Sequence, residues 1–295
     1  MTVEIGKIGI WSGAFDAHPT SEVQAACRQV EEMGYSTVWV PEAVGRDPFV
    51  AAATMLGATE NLKIATGIAN IYARDPMTMA ACQKTLAEAY PDRFLLGIGV
   101  SHHHLVQHLR KHDYSKPYSY MRNYLDSMDS AMFMATGPTG DPGRVLAALG
   151  PKMLELAAER ASGAHPYLTT PEHTERARKI MGDEALLAPE QMVVLETDPE
   201  TARGIARTML TVYLRAPNYM RNLKTLGFDD SDWEDPSSAS DRLVDSIVAW
   251  GDAEQIAARV NEHYEAGADH VCIQVLRADM ELPVDEWRTL AGLLT

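Results

Sequence analysis

The 295-residue chain is 46% hydrophobic and carries 26 basic against 41 acidic side chains, a formal charge of −15 at neutral pH. That apolar content fills one large core, so a single barrel-sized domain over 1–295 is expected rather than two small ones. The acidic balance argues against a nucleic-acid surface, which would want a basic face. No run of about 18 apolar residues exists, so no membrane span is expected. Cys27, Cys82 and Cys272 lie far apart with no CxxC spacing, as suits small core residues of a reducing cytoplasm. The leading MTVEIGKIGIW enters a strand without a basic-then-apolar leader pattern, so no signal peptide is expected.

Strand and helix patterns then alternate. Ile5–Trp11 reads as a strand and Ser21–Met33 as an amphipathic helix stopped by Gly34. Thr37–Val40 is a strand, with a helix near Pro48–Thr59. Lys63–Ala69 is a strand whose interior Gly67 marks a bulge or a close backbone approach. Pro76 opens a helix to Ala89, and Phe94–Ile98 is a short apolar run typical of a strand buried on both faces. A histidine-rich stretch leads to a helix over Tyr118–Ala135. Arg144–Ala148 and Ala164–Leu168 read as strands, followed by helices Pro151–Ala161 and Pro171–Met181. Gln191–Glu196 is a strand and Pro199–Leu214 a helix. A helical insertion over 215–250, its core Tyr219–Trp250, is broken by the acidic run Asp229–Asp235, expected as a solvated loop. Asp252 caps a long helix that Gly267 ends, and His270–Leu276 is the last strand.

Eight strands alternating with helices imply parallel pairing, and eight such units in one chain of this length imply a (β/α)₈ TIM barrel. An open doubly wound sheet would want a GxGxxG turn after the first strand, and Trp11-Ser12-Gly13-Ala14-Phe15 does not supply it. Active sites of barrels lie at the C-terminal strand ends. Those ends are Trp11–Phe15, Pro41–Asp47, Gly67–Asp75, Gly99–His104, Ala148–Gly150, Ala164–Tyr167, Thr197 and Arg277.

ATGIANIYARDP followed by YPDRFLLGIGVS resembles the luciferase-like monooxygenase superfamily. KIGIW, STVWVPEAVGRDP, ALGPKMLELAAERASGAHPYL and GDAEQIAARVNEHYEAGADHVCIQV extend the resemblance over nearly the whole chain. The AHPYL ending is similar to the actinobacterial branch that uses the deazaflavin coenzyme F-420, with flavin mononucleotide as the alternative cofactor. The resemblance implies an oxidoreductase that moves a hydride between F-420 and a small organic substrate, and a homodimer. It implies a non-proline cis peptide at Gly67-Ile68 backing the coenzyme ring, with Asn70 beside it. Gly99, Val100 and Ser101 would approach the coenzyme's phosphate side chain or pyrimidine edge. Ala148, Leu149 and Gly150 would offer backbone N–H groups to the phosphate at a helix N-terminus, and His165 would close that pocket.

This sequence also departs from the pattern. Sugar-phosphate dehydrogenases of the superfamily place an acid and a histidine after the second strand, where this chain has Glu42-Ala43. They place a glutamate proton donor after the fourth strand, where it has His102. Glu42 and His102 are the candidate proton relay, His102 because imidazole titrates near neutral pH. Trp11 is the candidate wall of an apolar substrate pocket. Arg74, Arg110, Lys111 and Lys116 are candidates to receive the coenzyme's carboxylate tail. His104, His108 and His112 would share one helix face, yet no HExxH completes a zinc set, so no metal is expected. Two further readings stay open: a flavin-mononucleotide monooxygenase that uses oxygen, and a barrel that binds cofactor without turnover.

Overall fold

The protein, seen in a computed structural model, is described over residues 3–295; the expectation of no leader rests partly on residues 1–2, which lie outside them. The strands in chain order are β1 (Ile8–Trp11), β2 (Thr37–Val40), β3 (Lys63–Thr66), β4 (Ala69–Asn70), β5 (Phe94–Gly99), β6 (Arg144–Leu146), β7 (Gly163–Ala164), β8 (Leu186–Leu187), β9 (Glu190–Val194), β10 (Val248–Trp250) and β11 (Val271–Val275). They form one sheet in the order β10-β9-β11-β1-β2-β3-β5-β6-β7-β8, with β4 beside β5, and the pairings are parallel. The ring closes because β8 and β9 are two segments of one strand path, separated only by Ala188-Pro189. β8 pairs with β7 and β9 with β11; between them Ala188 N–H donates to Ala164 O and Cys272 N–H to Pro189 O. The (β/α)₈ barrel read from the alternation is the fold.

The strand period of two builds two cores from the same sequence. Trp11, Trp39, Ala65, Leu95, Val145, Ala188 and Cys272 pack together inside the barrel. Their neighbours Ile10, Val38, Ile64, Leu96 and Leu146 face outward against the helices. Close strand packing forbids side chains at two glycines. A Cβ on Gly97 would overlap the Thr66 carbonyl, and one on Gly163 would overlap the Leu186 carbonyl.

The helices are α1 (Thr20–Glu32), α2 (Pro48–Leu56), α3 (Pro76–Ala89), α4 (Pro117–Asp129), α5 (Pro151–Arg160), α6 (Pro171–Met181), α7 (Pro199–Tyr213), α8 (Pro217–Thr225), α9 (Asp241–Ile247), α10 (Ala253–Glu265) and α11 (Val284–Leu294). Asp47, Asp75, Thr170 and Asp198 each cap a helix whose next residue is proline. The cap fills an orphan backbone donor while the ring presets φ, so these starts are sharp.

Several expectations shift. β1 begins at Ile8, because Ser36 and Thr37 hydroxyls both donate to the Ile5 carbonyl and Gly6 takes φ +73°. The strand expected over Ala164–Leu168 stops at Ala164, and Leu168 turns away at φ +56°. The helix expected to Ala135 ends at Asp129. The insertion is only partly helical: α8 and α9 flank short 3₁₀ turns at Asp230–Asp232 and Pro236–Ser238, and β10 follows. Its side chains Tyr219, Leu223, Trp233 and Leu243 pack with Met192, Val194 and Leu276 near the ends of β9 and β11. The acidic run is not wholly solvated, since Asp232 is buried against Arg242 (2.5 Å) and the Ser240 hydroxyl (2.6 Å). β8, β10 and α11 have no counterpart in the sequence analysis. Among the described residues no helix is long and apolar enough to cross a membrane.

Gly97→Ala should destabilise the chain by roughly 1–3 kcal/mol or more in urea unfolding. Gly204→Ala on α7, where a Cβ meets nothing within 4 Å, should be neutral or stabilising by up to about 1 kcal/mol; equal effects would refute the packing argument. Burial also lowers His165 and His173 to about 4, and His263 and His270 to about 3. The unfolded chain, with histidines near 6.5, binds more protons below that pH, so stability must fall as pH drops from about 6.5 towards 4. At pH 5 the loss should be about 2 kcal/mol per histidine, read as a lower urea midpoint than at pH 7.5.

Candidate active site

The floor of the barrel mouth is the break between β3 and β4. The Gly67-Ile68 peptide is cis, as the resemblance implied. Gly67 N–H donates to Val40 O at 2.8 Å, and its carbonyl accepts from Trp11 Nε1 at 2.9 Å. A Cβ on Gly67 would lie 2.8 Å from Trp11 Nε1 and 3.1 Å from His165 Nε2, so only glycine fits between these rings. A Cβ on Gly99 would strike the Ile68 side chain at 2.7 Å; bare backbone here lets Ile68 lie across the end of β5.

His165 is 1% exposed and stacks on Trp39 with centroids 4.2 Å apart. Its Nδ1 hydrogen-bonds Ala188 O at 2.8 Å, while Nε2 has no partner among the described residues. Desolvation keeps the ring neutral. It therefore braces the floor from beneath. Trp11, expected at a substrate wall, is likewise buried and holds the Gly67 carbonyl, with Tyr167 beside it at 5.0 Å.

The loops after β2 and β3 are tied by the ion pairs that Arg74 makes. Arg74 donates to Glu42 Oε1 (2.6 Å) and Oε2 (2.8 Å) and to Asp47 Oδ2 (3.0 Å). Glu42 Oε2 also accepts from Asn70 N–H at 2.7 Å. The Glu42 and Arg74 side chains are only 6% and 10% exposed, so this pair is buried. Both oxygens of Glu42 are committed, which makes it a clamp on Arg74 and on the strand carrying Asn70. Arg74 in turn is engaged by carboxylates, not free to meet a carboxylate tail. Arg110 donates to Ala43 O at 3.3 Å, while Lys111 and Lys116 are exposed. Asn70 is buried and its Oδ1 accepts from Tyr72 N–H at 2.9 Å.

At the end of β5 the chain turns through Val100 and Ser101 (φ +58°), whose carbonyl accepts from Tyr114 OH at 2.8 Å. His102 follows, with Nδ1 3.3 Å from Asn218 Oδ1 of α8 and its ring 5.2 Å from Tyr219. Burial lowers its pKa from the ordinary histidine value. A π-helical turn over His104–Leu109 then ends, and Lys111 at φ +62° breaks the expected helix face before His112, which packs near Tyr72. Among the described residues no group of three or more His, Cys, Asp or Glu is placed to hold a metal.

The adjoining strand end, after β6, carries the start of α5. Ala148 is buried, Leu149 O accepts from His173 Nε2 at 2.9 Å, and Gly150 is the N-cap with no side-chain cap. A Cβ on Gly150 would meet nothing within 4 Å. An uncapped, open helix start of this kind suits an anionic group such as a phosphate.

Sequence reasoning placed Tyr167 at a strand end without giving it a role, and did not single out Tyr213, Tyr219, Glu190 or Gln274. Tyr167 OH lies 2.7 Å from both Tyr213 OH and Gln274 Oε1. The available signal was Glu190 at the start of β9 and Gln274 within the otherwise apolar β11.

The model of the luciferase-like monooxygenase family matches residues 8–270. The chain belongs to that family, a family of oxidoreductases. A Mycobacterium tuberculosis protein carrying the name coenzyme F-420-dependent oxidoreductase is 26% identical over 195 residues, 56% of each chain. The 5,10-methylenetetrahydromethanopterin reductase of Archaeoglobus fulgidus is 24% identical across 85% of this chain and 88% of its own. Among solved structures, an F-420-dependent secondary alcohol dehydrogenase in complex with an F-420–acetone adduct superposes with TM-score 0.80 at 14% identity, covering 98% of this chain and 99% of its own. The flavin-mononucleotide-bound oxygenating constituent of 3,6-diketocamphane monooxygenase from Pseudomonas putida superposes with TM-score 0.72 at 14% identity, covering 98% and 96%.

Because the Glu42–Arg74 pair is buried, Glu42→Ala and Arg74→Ala should each cost roughly 3 kcal/mol in urea unfolding. The double variant should cost clearly less than their sum. Additive losses would show that the two do not act as one unit.

Proposed function

We propose that the chain is a coenzyme F-420-dependent oxidoreductase that moves a hydride between the deazaflavin and a small organic substrate. The observation that carries this is the pairing of a ring-braced glycine floor at Gly67 with an open, uncapped helix start at Gly150. A planar ring can lie on the first while its phosphate meets the second. The relatives named for F-420 support the choice of coenzyme over flavin mononucleotide.

When bound, the deazaflavin supplies a two-electron hydride carrier that reacts through carbon. The chain's own residues do the rest. Trp11 and His165 fix the height of the floor by holding Gly67. Glu42 positions Asn70 and the Arg74 loop. With Asn218 Oδ1 as acceptor, His102 carries its hydrogen on Nδ1 and keeps Nε2 as a neutral base at the mouth. Burial keeps that base deprotonated at neutral pH.

Titration of the purified chain with F-420 and separately with flavin mononucleotide, followed by tryptophan fluorescence, tests the reading. Micromolar or tighter binding of F-420 with no comparable flavin binding is expected. Preference for the flavin would move the reading to an oxygen-using monooxygenase, and binding of neither would remove it.

A further inference from the structure

The floor and the helix start leave one buried polar arrangement unused. Tyr167, just after β7, places its hydroxyl 2.7 Å from Tyr213 OH at the end of α7 and 2.7 Å from Gln274 Oε1 on β11. Tyr167 also contacts Trp11 at 5.0 Å, so the group lies directly beside the braced floor. Tyr167 and Tyr213 are half-buried, and Tyr219 packs edge-on against Tyr213 at 5.6 Å. Beneath them Glu190 is 1% exposed, its Oε2 accepts only from Leu168 N–H at 3.3 Å, and its Oε1 has no partner among the described residues.

Each phenol has one hydrogen, so the chain of three can point only one way at a time. With Gln274 Oε1 toward Tyr167, Tyr213 donates to Tyr167 and Tyr167 donates to the amide, leaving Tyr213 as an acceptor. A half-turn of the amide presents its NH₂ and reverses the chain, leaving the Tyr213 hydrogen free to donate. Burial pushes Tyr213 up to about 12 and Tyr167 higher, so both keep their hydrogens at neutral pH. Glu190, pushed up to about 8, is neutral there as well. The surroundings therefore favour a neutral oxygen over an anion.

We propose that Tyr213, switched through Tyr167 by Gln274, anchors the oxygen of a substrate whose reacting carbon bears a carbonyl or a hydroxyl group. A carbonyl oxygen only accepts, whereas an alcohol also donates, so the two members of such a couple ask for opposite directions of the chain. A reversible relay serves both. As a role in catalysis this rests on the oxidoreductase reading above.

The test uses the full chain without coenzyme and two matched probe pairs: cyclohexanone against methylenecyclohexane, and acetophenone against α-methylstyrene. Affinities are read by saturation-transfer NMR. The wild type should bind each ketone about tenfold more tightly than its oxygen-free counterpart, the ratio expected of one hydrogen bond. In Tyr213→Phe the preference should fall to within about threefold, whereas Gln274→Leu, which removes the acceptor competing for the Tyr167 hydrogen, should retain it. F-420 affinity should stay unchanged in both variants, which shows that the floor is intact. No ketone preference in the wild type, or one that survives in Tyr213→Phe, overturns the anchor. A ketone preference lost in Tyr213→Phe, in a chain that binds no F-420, would support the anchor while ending the deazaflavin reading.

Discussion

The hydrogen bond from Trp11 Nε1 to the Gly67 carbonyl is the contact on which the mouth of this barrel depends. It crosses from β1 to the break in β3 and fixes the height of backbone that no side chain could cover. Glycine at 67 is required because two rings already occupy the space of a Cβ. His165 is held in turn by its stack on Trp39 and its bond to Ala188 O. The floor is thus a backbone surface supported by aromatic rings from three strand paths. Rotation of any one ring would move it.

From that floor the order spreads outward through polar contacts. Asn70 N–H reaches Glu42, Glu42 reaches Arg74, and Arg74 reaches Asp47 at the cap of α2. The Asn70–Glu42 and Glu42–Arg74 links are buried or half-buried, where an unpaired charge is costly, so the loops after β2 and β3 are set together, with the exposed Asp47 at the outer end. Glu42, whose two oxygens serve three donors, is the knot of that chain.

The electrostatics of the mouth run against the charge of the whole. The chain carries −15, yet around the floor burial holds His102 and His165 down and Glu190 up, while the charges of Glu42 and Arg74 are paired with each other. Desolvation disfavours the charged form of each, which lowers histidines and raises carboxyls. The positive end of α5 at Gly150 adds a place for an anion at one side.

The sequence by itself determined the period and punctuation of this protein. Apolar runs marked the strands, and Asp-Pro and Thr-Pro pairs marked helix starts, because caps and fixed φ act within a few residues. Gly67, Gly99 and Gly150 were legible for the same reason, and the family resemblance placed them at a cofactor site. Only the tertiary structure decided what the side chains do there. Whether Trp11 faces a substrate or supports a peptide depends on the inward phase of β1 relative to β3, which barrel closure sets. The Glu42–Arg74 pair joins residues 32 apart, and Tyr167 meets Gln274 across 107. Such contacts are fixed by strand register and by the insertion folding over β9 and β11, and neither leaves a local trace in the chain.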